Sequence, residues 1–223
     1  MQERYLLDLT TLSGTGHLTK VFDPERRIPQ STINTLLQFL HSSPSSVNAQ
    51  PWHFVVAATP EGRERINKAV HDDFALNEPK VLNASHVIVF CTRTSLSGDY
   101  LDQLLAKEDR DGRFRSPTAK AEWRKIVRGW IDLHQYDLKD LQHWMEKQVY
   151  LALGMFLVAA GAVGVDVSPL EGFDPRKLDA ELGLRERGLT STVLLALGYR
   201  SPHDYNINRP KLRLPAEDLF TFL

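Results

Sequence analysis

The sequence predicts an α+β fold, in which helices flank a small sheet and one helix is long and central. Short runs rich in β-branched residues, typical of buried strands, alternate with longer segments of helical periodicity. One stretch, from Val149 to Val165, carries no charge. Of the 223 residues, 42% are hydrophobic and 25% are charged, as in a globular protein with a sizeable core. Because no linker or repeat divides the chain, we expect one domain over residues 1–223.

Helices are predicted where apolar residues recur at helical spacing. In the segment that begins at Pro29, a residue suited to a helix start, they fall at Ile33, Leu36, Leu37 and Leu40. In chain order the predicted helices cover Gln2–Leu12, Pro29–Ser42, Pro60–Val70, Tyr100–Lys107, Thr118–Tyr136 and Leu138–Val163.

Strands are predicted where short apolar runs rich in β-branched residues occur. Three runs are clear, and a fourth, VDVSPLE, is weaker. In chain order the four are His53–Ala58, His86–Thr92, Val165–Glu171 and Ser191–Tyr199. A few strands among many helices leave a loop-lined cleft, but they do not identify a ligand.

The uncharged stretch is at the short limit for a membrane span, since a transmembrane helix needs about 17 to 25 residues. It is rich in Ala and Gly rather than Leu, and Lys147 and Asp166 bracket it closely. A helix that is apolar all round can instead form the centre of a core or a subunit interface. Glu3, Arg4 and Asp8 interrupt any signal-peptide core near the N-terminus. We therefore expect a buried helix in a cytoplasmic protein that does not associate with membranes.

Charge and cysteine content exclude further classes of protein. The net charge of −1 leaves no global basic surface for nucleic acid or an anionic membrane, so neither is expected as a partner. The single cysteine excludes an internal disulfide. Cys91 lies inside the apolar run HVIVFC, where we expect a buried and unreactive thiol.

Motifs for several common chemistries are missing. GTG at Gly14–Gly16 and GAVG at Gly161–Gly164 lack the Gly-x-Gly-x-x-Gly spacing and the strand-to-helix context of a dinucleotide-binding fold. There is no Walker sequence, and the eight histidines show no metal-binding spacing. No Gly-x-Ser-x-Gly elbow appears either. No metal is therefore expected, and a hydrolase is poorly supported.

The segment SPSSVNAQPWHF, Ser43 to Phe54, concentrates small hydroxyl and amide groups between a helix and a strand. We call its first part, Ser43–Gln50, the polar loop. Such residues are what turns are made of, but they could also surround a polar, non-protein ligand. Taken alone, the loop leaves both interpretations open.

Three short basic clusters and one strand end accompany the polar loop. They are GHLTK (Gly16–Lys20), NEPK (Asn77–Lys80), PKLRLP (Pro210–Pro215) and the strand end SPLEGF (Ser168–Phe173). In an extended chain Lys211 and Arg213 point to one side, so together they could bind a phosphate. The glycine of SPLEGF lets another group approach the backbone closely. Each cluster alone is best explained as solvated surface, and only their combination favours a bound ligand.

In their order along the chain, these motifs resemble the nitroreductase family of FMN flavoenzymes. Within it, the likeness is greatest to the bacterial oxygen-insensitive NAD(P)H nitroreductases, also called dihydropteridine reductases. It extends from about Leu9 to Pro215 and includes EKQVYLALG, which overlaps the uncharged stretch. The resemblance implies a nitroreductase-like sandwich with a mainly antiparallel sheet. It also implies an intertwined homodimer, with the long helix in the dimer core and tightly bound FMN at the subunit interfaces.

The resemblance assigns roles to residues around the flavin. The polar loop of one subunit would lie against FMN that is held mainly by the other. Lys20 and Lys80 would place positive charge at the N1–C2 carbonyl edge, which becomes negative on reduction, and Glu171 would add electrostatic support. The full set of implied cofactor-binding positions is Gly16, His17, Leu18, Thr19, Lys20, Pro44, Ser45, Ser46, Asn48, Asn77, Lys80, Pro169, Leu170, Glu171, Gly172 and, for the phosphate, Lys211 and Arg213.

The resemblance also implies an activity. NADH or NADPH would pass a hydride to FMN N5 and leave, and a nitroaromatic compound or a quinone would then be reduced in the same pocket, in a ping-pong cycle. FMN carries the chemistry, so no side chain is expected to act as a dedicated nucleophile or acid. Val47, Phe74, Leu76 and Trp130 would line the substrate pocket. Arg113 would lie near the phosphates of the nicotinamide cofactor, or occupy an ordinary solvated loop.

Two positions depart from the family pattern. Gly16 and Leu18 stand where close relatives have an arginine and a serine that contact the phosphate and ribityl groups. The alternative function is therefore a non-enzymatic binding or regulatory dimer of the same fold, whose flavin site has degraded. A third possibility is a flavin-destroying or dehalogenating enzyme of the superfamily, although no extra substrate lid is visible in the sequence.

Overall fold

The centre of the structure is a four-stranded antiparallel sheet with the order β1-β2-β4-β3. Its strands are β1 (Trp52–Ala57), β2 (His86–Arg93), β3 (Asp166–Leu170) and β4 (Leu189–Gly198). The computed structural model describes residues 18–223. The central strands β2 and β4 consist almost entirely of buried residues, because helices cover both faces of the sheet. The predicted α+β fold with its small antiparallel sheet is confirmed, including the weaker fourth strand.

Helices surround this sheet. In chain order they are α1 (Gln30–His41), α2 (Pro60–Asn67), α3 (Glu78–Asn83), α4 (Gly98–Arg110), α5 (Pro117–Asp132), α6 (Leu141–Ala162), α7 (Pro175–Leu182) and α8 (Ala216–Leu219). A π-helical turn, Leu133–Asp137, continues α5. The predicted helix Gln2–Leu12 lies outside the described residues.

The other predicted helices are all present, with ends that differ by a few residues from the prediction. The short helices α3, α7 and α8 were not predicted, because a segment of about two turns carries little periodicity. α7 nevertheless has clear end signals. The Asp174 carboxylate accepts hydrogen bonds from the backbone N–H groups of Arg176 and Lys177, and Gly183 ends the helix in the left-handed conformation.

Each face of the sheet has its own core, because successive side chains of a strand point to opposite faces. Val87, Val89 and Leu194 pack with residues of α2, α3 and α7 on one face. Ile88 and Phe90 pack with residues of α1 and α6 on the other. A third apolar cluster joins α4, α5 and the first turns of α6. Helix α6 therefore contacts both the sheet and the α4–α5 pair.

The uncharged stretch lies mostly in α6, as predicted, and one face of this helix is in the core. Val149, Phe156 and Ala160 on that face are fully buried. Leu151 and Val158 on the opposite face are 46% and 53% exposed. In the part of the chain that the structure describes, no helix is long and apolar enough to cross a membrane. α6 therefore carries a second apolar stripe that the described residues leave uncovered.

Candidate functional site

Two lysines and an amide lie together beside the end of β3. The Lys80 ammonium donates a hydrogen bond to Asn77 Oδ1 over 2.6 Å, and Asn77 Nδ2 donates to the carbonyl of Gly172 over 3.0 Å. Burial lowers the pKa of Lys80, and the nearby charge of Lys20 lowers it further. Lys20 of GHLTK, the NEPK segment and Gly172 of SPLEGF, which are far apart in the sequence, are thus brought together. We call this group, Lys20, Asn77, Lys80 and Gly172, the lysine cluster.

The backbone around Lys20 is fixed by the last part of the chain. The Lys20 N–H donates to the buried carboxylate of Asp204 over 3.2 Å. The neighbouring Thr19 N–H donates to Val167 of β3 over 3.0 Å, and the Leu18 carbonyl accepts from the side chain of Asn206 over 2.9 Å. Residues 18–20 are therefore held against β3 and the loop that follows β4. Gly16 and His17 lie outside the described residues.

Arg200 completes this attachment. Its guanidinium pairs with Asp166 at 3.2 Å and with Asp204 at 3.6 Å. It also donates to the hydroxyl of Thr19 over 3.3 Å, and Thr19 is fully buried. The Thr19 side chain, which was predicted to bind the cofactor, therefore faces the protein in this chain.

Gly172 is a position of close approach. A Cβ atom at this residue would lie 2.6 Å from Asn77 Nδ2, closer than real Cβ contacts allow, and 3.1 Å from Phe74 Cδ1, which is a tight contact. The half-buried Phe74 thus packs against the backbone of the strand end. Leu76, also predicted to line the substrate pocket, is 91% exposed. The glycine of SPLEGF is required by local packing, as its sequence context suggested.

Glu171 forms a hydrogen bond that the sequence did not reveal. The Tyr150 hydroxyl, on α6, donates to Glu171 Oε1 over 2.5 Å. Burial and then this hydrogen bond raise the pKa of Tyr150 well above its ordinary value, so the phenol keeps its proton. The preceding Leu170 has its side chain in the core, whereas Pro169 is half-buried. α6 thereby fixes the carboxylate of the strand end.

The polar loop is held from inside and from two helices. Ser45 Oγ accepts from the backbone N–H of Gln50 over 2.9 Å. The Ser46 N–H donates to Gln148 Oε1 of α6 over 2.8 Å, and Asn48 Nδ2 donates to Glu108 Oε1 of α4 over 2.7 Å. The loop is therefore stabilised both by a hydrogen bond within it and by hydrogen bonds to α6 and α4.

The backbone of the loop is strained. Val47, Asn48 and Gln50 have φ values of 46°, 54° and 44°, in the left-handed region that non-glycine residues seldom adopt. For a β-branched valine this conformation is especially unfavourable. The Tyr100 hydroxyl lies 3.0 Å and 2.7 Å from the carbonyls of Ala49 and Gln50, which helps to hold this shape. Such strain is typical of segments with a functional role.

The remaining predicted residues occupy other parts of the surface. The Arg113 guanidinium lies 3.5 Å from Glu108 and 4.6 Å from the Trp123 ring centre. Trp130 on α5 is partly exposed and stacks on His134. Lys211 and Arg213 lie on an exposed, non-helical segment before α8, as predicted. Their predicted contacts with cofactor and substrate stay predictions.

The structure brings some of the predicted residues together and keeps others apart. The lysine cluster joins α3 to the strand end after β3. The polar loop instead bonds to α4 and α6. Sequence reasoning missed the polar groups that hold these two parts. Glu108, Gln148 and Asp204 are buried, and Asp166 and Arg200 are partly buried. Nothing in their sequence context separates them from surface residues, because polar side chains are mostly exposed.

In the described range no group of three or more His, Cys, Asp or Glu could hold a metal ion.

The chain is similar to known proteins over nearly its whole length. Residues 18–199 match the profile of the Nitroreductase family. An oxygen-insensitive NAD(P)H nitroreductase of Salmonella typhimurium is 44% identical over 215 residues, covering 96% of this chain and 99% of that relative. The major NAD(P)H-flavin oxidoreductase of Aliivibrio fischeri is 32% identical over 212 residues, with 93% and 94% covered.

The fold is also found among solved structures. A protein of Exiguobacterium sibiricum, solved in complex with FMN, matches this chain with a TM-score of 0.80. The match covers 98% of both chains at 19% sequence identity. At this identity the likeness shows the fold alone.

Proposed function

Since the chain belongs to the nitroreductase family, we propose that it is an FMN-dependent NAD(P)H oxidoreductase that reduces nitroaromatic compounds or quinones by two electrons. The resemblance in the sequence motifs is confirmed at the level of the family. The names of two relatives support NAD(P)H as electron donor and a flavin as the redox group. The FMN complex of a protein with the same fold supports FMN as that flavin.

The Lys80 ammonium, which is held by the Asn77 amide and lies near the charge of Lys20, is the main reason for this proposal. No carboxylate of the described residues pairs with either ammonium group, and the nearby charge of Lys20 lowers the pKa of Lys80. Such an arrangement is unfavourable unless an electron-rich group lies against it. Gly172 leaves room for the Asn77 amide to pack against the backbone of the strand end, which keeps the amide beside Lys80. These residues fit the electron-rich edge of FMN.

When bound, FMN would supply hydride acceptance and donation, which no side chain provides. Lys20 and Lys80 would stabilise the negative charge that develops at the ring edge. Phe74, Leu76 and Trp130 would offer apolar surface on which the nicotinamide and then the acceptor could stack. Tyr150 would hold Glu171 in place, and Lys211 with Arg213 would bind the FMN phosphate. NAD(P)H and acceptor would use the same surface in turn, which is the basis of the proposed ping-pong cycle.

The active form would be a homodimer. The apolar stripe of α6, which includes Leu151 and Val158, is exposed in the single chain. Contact between this apolar surface and water costs free energy, which burial against a partner would remove. The polar loop and the lysine cluster are attached to different elements. A partner subunit that covers α6 would supply its polar loop to the lysine cluster of the first. Each flavin site would then contain residues of both chains.

The degraded-site alternative rests on Gly16 and Leu18. The Leu18 side chain is apolar and 39% exposed, so it offers no hydroxyl to a ribityl chain. A charge-assisted hydrogen bond contributes about 1.5–3 kcal/mol, so each missing contact could weaken FMN binding about tenfold or more. The lysine cluster favours an active site, because burial and the charge of Lys20 disfavour the Lys80 ammonium unless an electron-rich group lies against it.

The visible absorption spectrum of the purified protein tests the proposal. It is recorded before and after addition of FMN, and again after anaerobic addition of NADPH or NADH. Bound flavin that bleaches with the reductant, and whose colour returns with a nitroaromatic compound or a quinone, is the expected result. Lys80→Met should weaken FMN binding about tenfold, whereas the exposed Lys68→Met is the matched control. No bound flavin at high FMN concentration would favour the non-enzymatic dimer instead.

A further inference from the structure

Glu108 on α4 is a buried carboxylate that lies outside every sequence motif discussed above. Its side chain is 6% exposed. Asn48 Nδ2 donates to Oε1 over 2.7 Å, and Trp123 Nε1 donates to Oε2 over 3.0 Å. The Arg113 guanidinium approaches Oε1 to 3.5 Å. Donors from the polar loop, from α5 and from the turn after α4 therefore converge on one side chain.

Only a group that accepts and does not donate can serve all three of these donors. An ionised carboxylate has two accepting oxygens and no hydrogen of its own. A glutamine at position 108 would turn an NH₂ group either toward Trp123, where one donor would face another, or toward Asn48, whose amide would then have to rotate to accept it. The charge on Arg113 compensates the buried charge of Glu108. The site therefore specifically requires the carboxylate of Glu108.

The hydrogen bond to Glu108 fixes the orientation of the Asn48 side-chain amide. Because Nδ2 faces Glu108, Oδ1 is turned toward Gln50, whose Nε2 lies 3.3 Å away. The backbone of Asn48 is in the left-handed region, next to the strained Val47. Strain of this kind persists only where surrounding contacts hold it. Glu108 is the contact that acts on the Asn48 side chain from outside the loop.

We propose that Glu108 is a positioning residue for the flavin, because it fixes the Asn48 amide and the strained polar loop in the arrangement that binds FMN. This inference rests on the proposed function, in which the polar loop lies against FMN. Glu108 itself touches neither cofactor nor substrate and acts through Asn48. The carboxylate thereby links the α4–α5 pair, which carries Trp130, to the loop that would contact the flavin.

A double-mutant cycle tests this inference on the full-length protein. FMN dissociation constants are measured by fluorescence titration for wild type, Glu108→Gln, Asn48→Ala and the double variant. Glu108→Gln should weaken FMN binding about tenfold, and in the Asn48→Ala background it should add about twofold at most. The visible-region circular dichroism of bound FMN should change in Glu108→Gln, because the environment of the flavin ring is altered.

Trp123→Phe is the matched control. It removes another donor from the same carboxylate but leaves the Asn48 hydrogen bond, so FMN binding should stay within about twofold of wild type. An equal loss in Trp123→Phe would mean that the helices have merely loosened, and it would overturn the inference. An undiminished effect of Glu108→Gln in the Asn48→Ala background would do the same.

Glu108→Asp covers the case in which Glu108→Gln does not fold. It keeps the charge but is one methylene shorter, so it cannot reach all three donors, and FMN binding should weaken at least about threefold. Binding equal to that of wild type would overturn the inference. If the proposed function itself is wrong, the wild-type protein will bind no FMN, and this result differs from every outcome that overturns the inference about Glu108.

Discussion

The Lys80 ammonium donates to Asn77 Oδ1 across 2.6 Å, and Asn77 immediately precedes α3, in which Lys80 lies. Asn77 in turn donates to the Gly172 carbonyl, so the amide connects a partly desolvated cation to the strand end. Burial, and then the charge of Lys20, lowers the pKa of Lys80 below its ordinary value of 10.5. A bound electron-rich group would oppose that shift.

As pH is raised, FMN binding should therefore begin to weaken at a lower pH than the pKa of an ordinary lysine would predict. As pH rises through the lowered pKa of free Lys80, the ammonium that would face the flavin is lost. The dissociation constant of FMN, measured from neutral pH upward, should begin to rise below pH 10.5. In Lys80→Arg the guanidinium stays charged, so the profile should be flatter. Identical profiles for the two proteins would contradict this assignment.

The same shift predicts the pH dependence of stability without FMN. Between the lowered pKa of Lys80 and 10.5, the unfolded chain binds more protons at this position than the folded one. The contribution of Lys80 to the free energy of unfolding should therefore rise with pH through that window. Chemical denaturation of wild type and Lys80→Arg, compared at each pH, isolates this contribution.

Gly172→Ala should weaken FMN binding about tenfold or more, because the new Cβ would displace Asn77 and Phe74. The added methyl cannot be relieved without moving either the Asn77 amide or the aromatic ring. Gly98→Ala is the control, since a Cβ at that position meets nothing within 4 Å. Titration of both variants with FMN is the measurement. Equal affinities would mean that the strand end does not contact the flavin.

Tyr150→Phe should alter the redox behaviour of the bound flavin more than the stability of the fold. The change removes the hydrogen bond to Glu171 and keeps the ring. We expect a rate of flavin reduction by NADPH that is about two- to fivefold lower, with a loss in stability of about 1 kcal/mol or less. Stopped-flow absorbance gives the rate, and Tyr205→Phe, at an exposed ring, is the control. A rate unchanged from wild type would remove Glu171 from the site.

Val158→Glu should convert the proposed dimer into a monomer that no longer binds FMN. The substitution places a charge in the exposed apolar stripe of α6, where the partner subunit would lie. Sedimentation velocity measures the assembly, and flavin absorbance of the same sample measures binding. Ala106→Glu, on an exposed position of α4, should leave both unchanged. A wild-type monomer that retains FMN would contradict the shared-site arrangement.

Cys91 should be unreactive in the folded protein, as the sequence predicted. The thiol is fully buried in β2, and burial raises its pKa to about 12, so almost no thiolate is present at neutral pH. A colorimetric disulfide reagent should label no cysteine in the native state. It should label the single cysteine once the chain is unfolded. Rapid labelling of the native protein would indicate that the sheet opens readily.

Much of the fold could be predicted because it depends on periodic apolar patterns. The fully buried strand β2 was visible as HVIVFCT, and α6 as an uncharged stretch flanked by charges. The lysine cluster was also predictable, although only through the order of several motifs. Spacing alone gave no reason to bring Lys20 next to Lys80.

The supports of the site could not be predicted from the sequence. Glu108 and Asp204 are buried carboxylates, and their sequence neighbours are as polar as those of any surface residue. Their burial results from tertiary partners far away in the chain, such as Asn48 for Glu108 and Lys20 for Asp204. The left-handed conformation of Val47 is equally non-local, because contacts with α4 and α6 impose it against the preference of valine.

The hydrogen bond from Lys20 to Asp204 joins residues 184 positions apart, and this separation has a consequence for biosynthesis. A nascent chain that has left the ribosome as far as Gly172 contains the lysine cluster but not the carboxylate that holds Lys20. The two central strands cannot pair at that stage either, because β4 follows β3 in the chain. With the lysine cluster as the proposed cofactor site, we expect cofactor capture to await nearly complete translation, so that FMN does not act as a template for the early steps of folding.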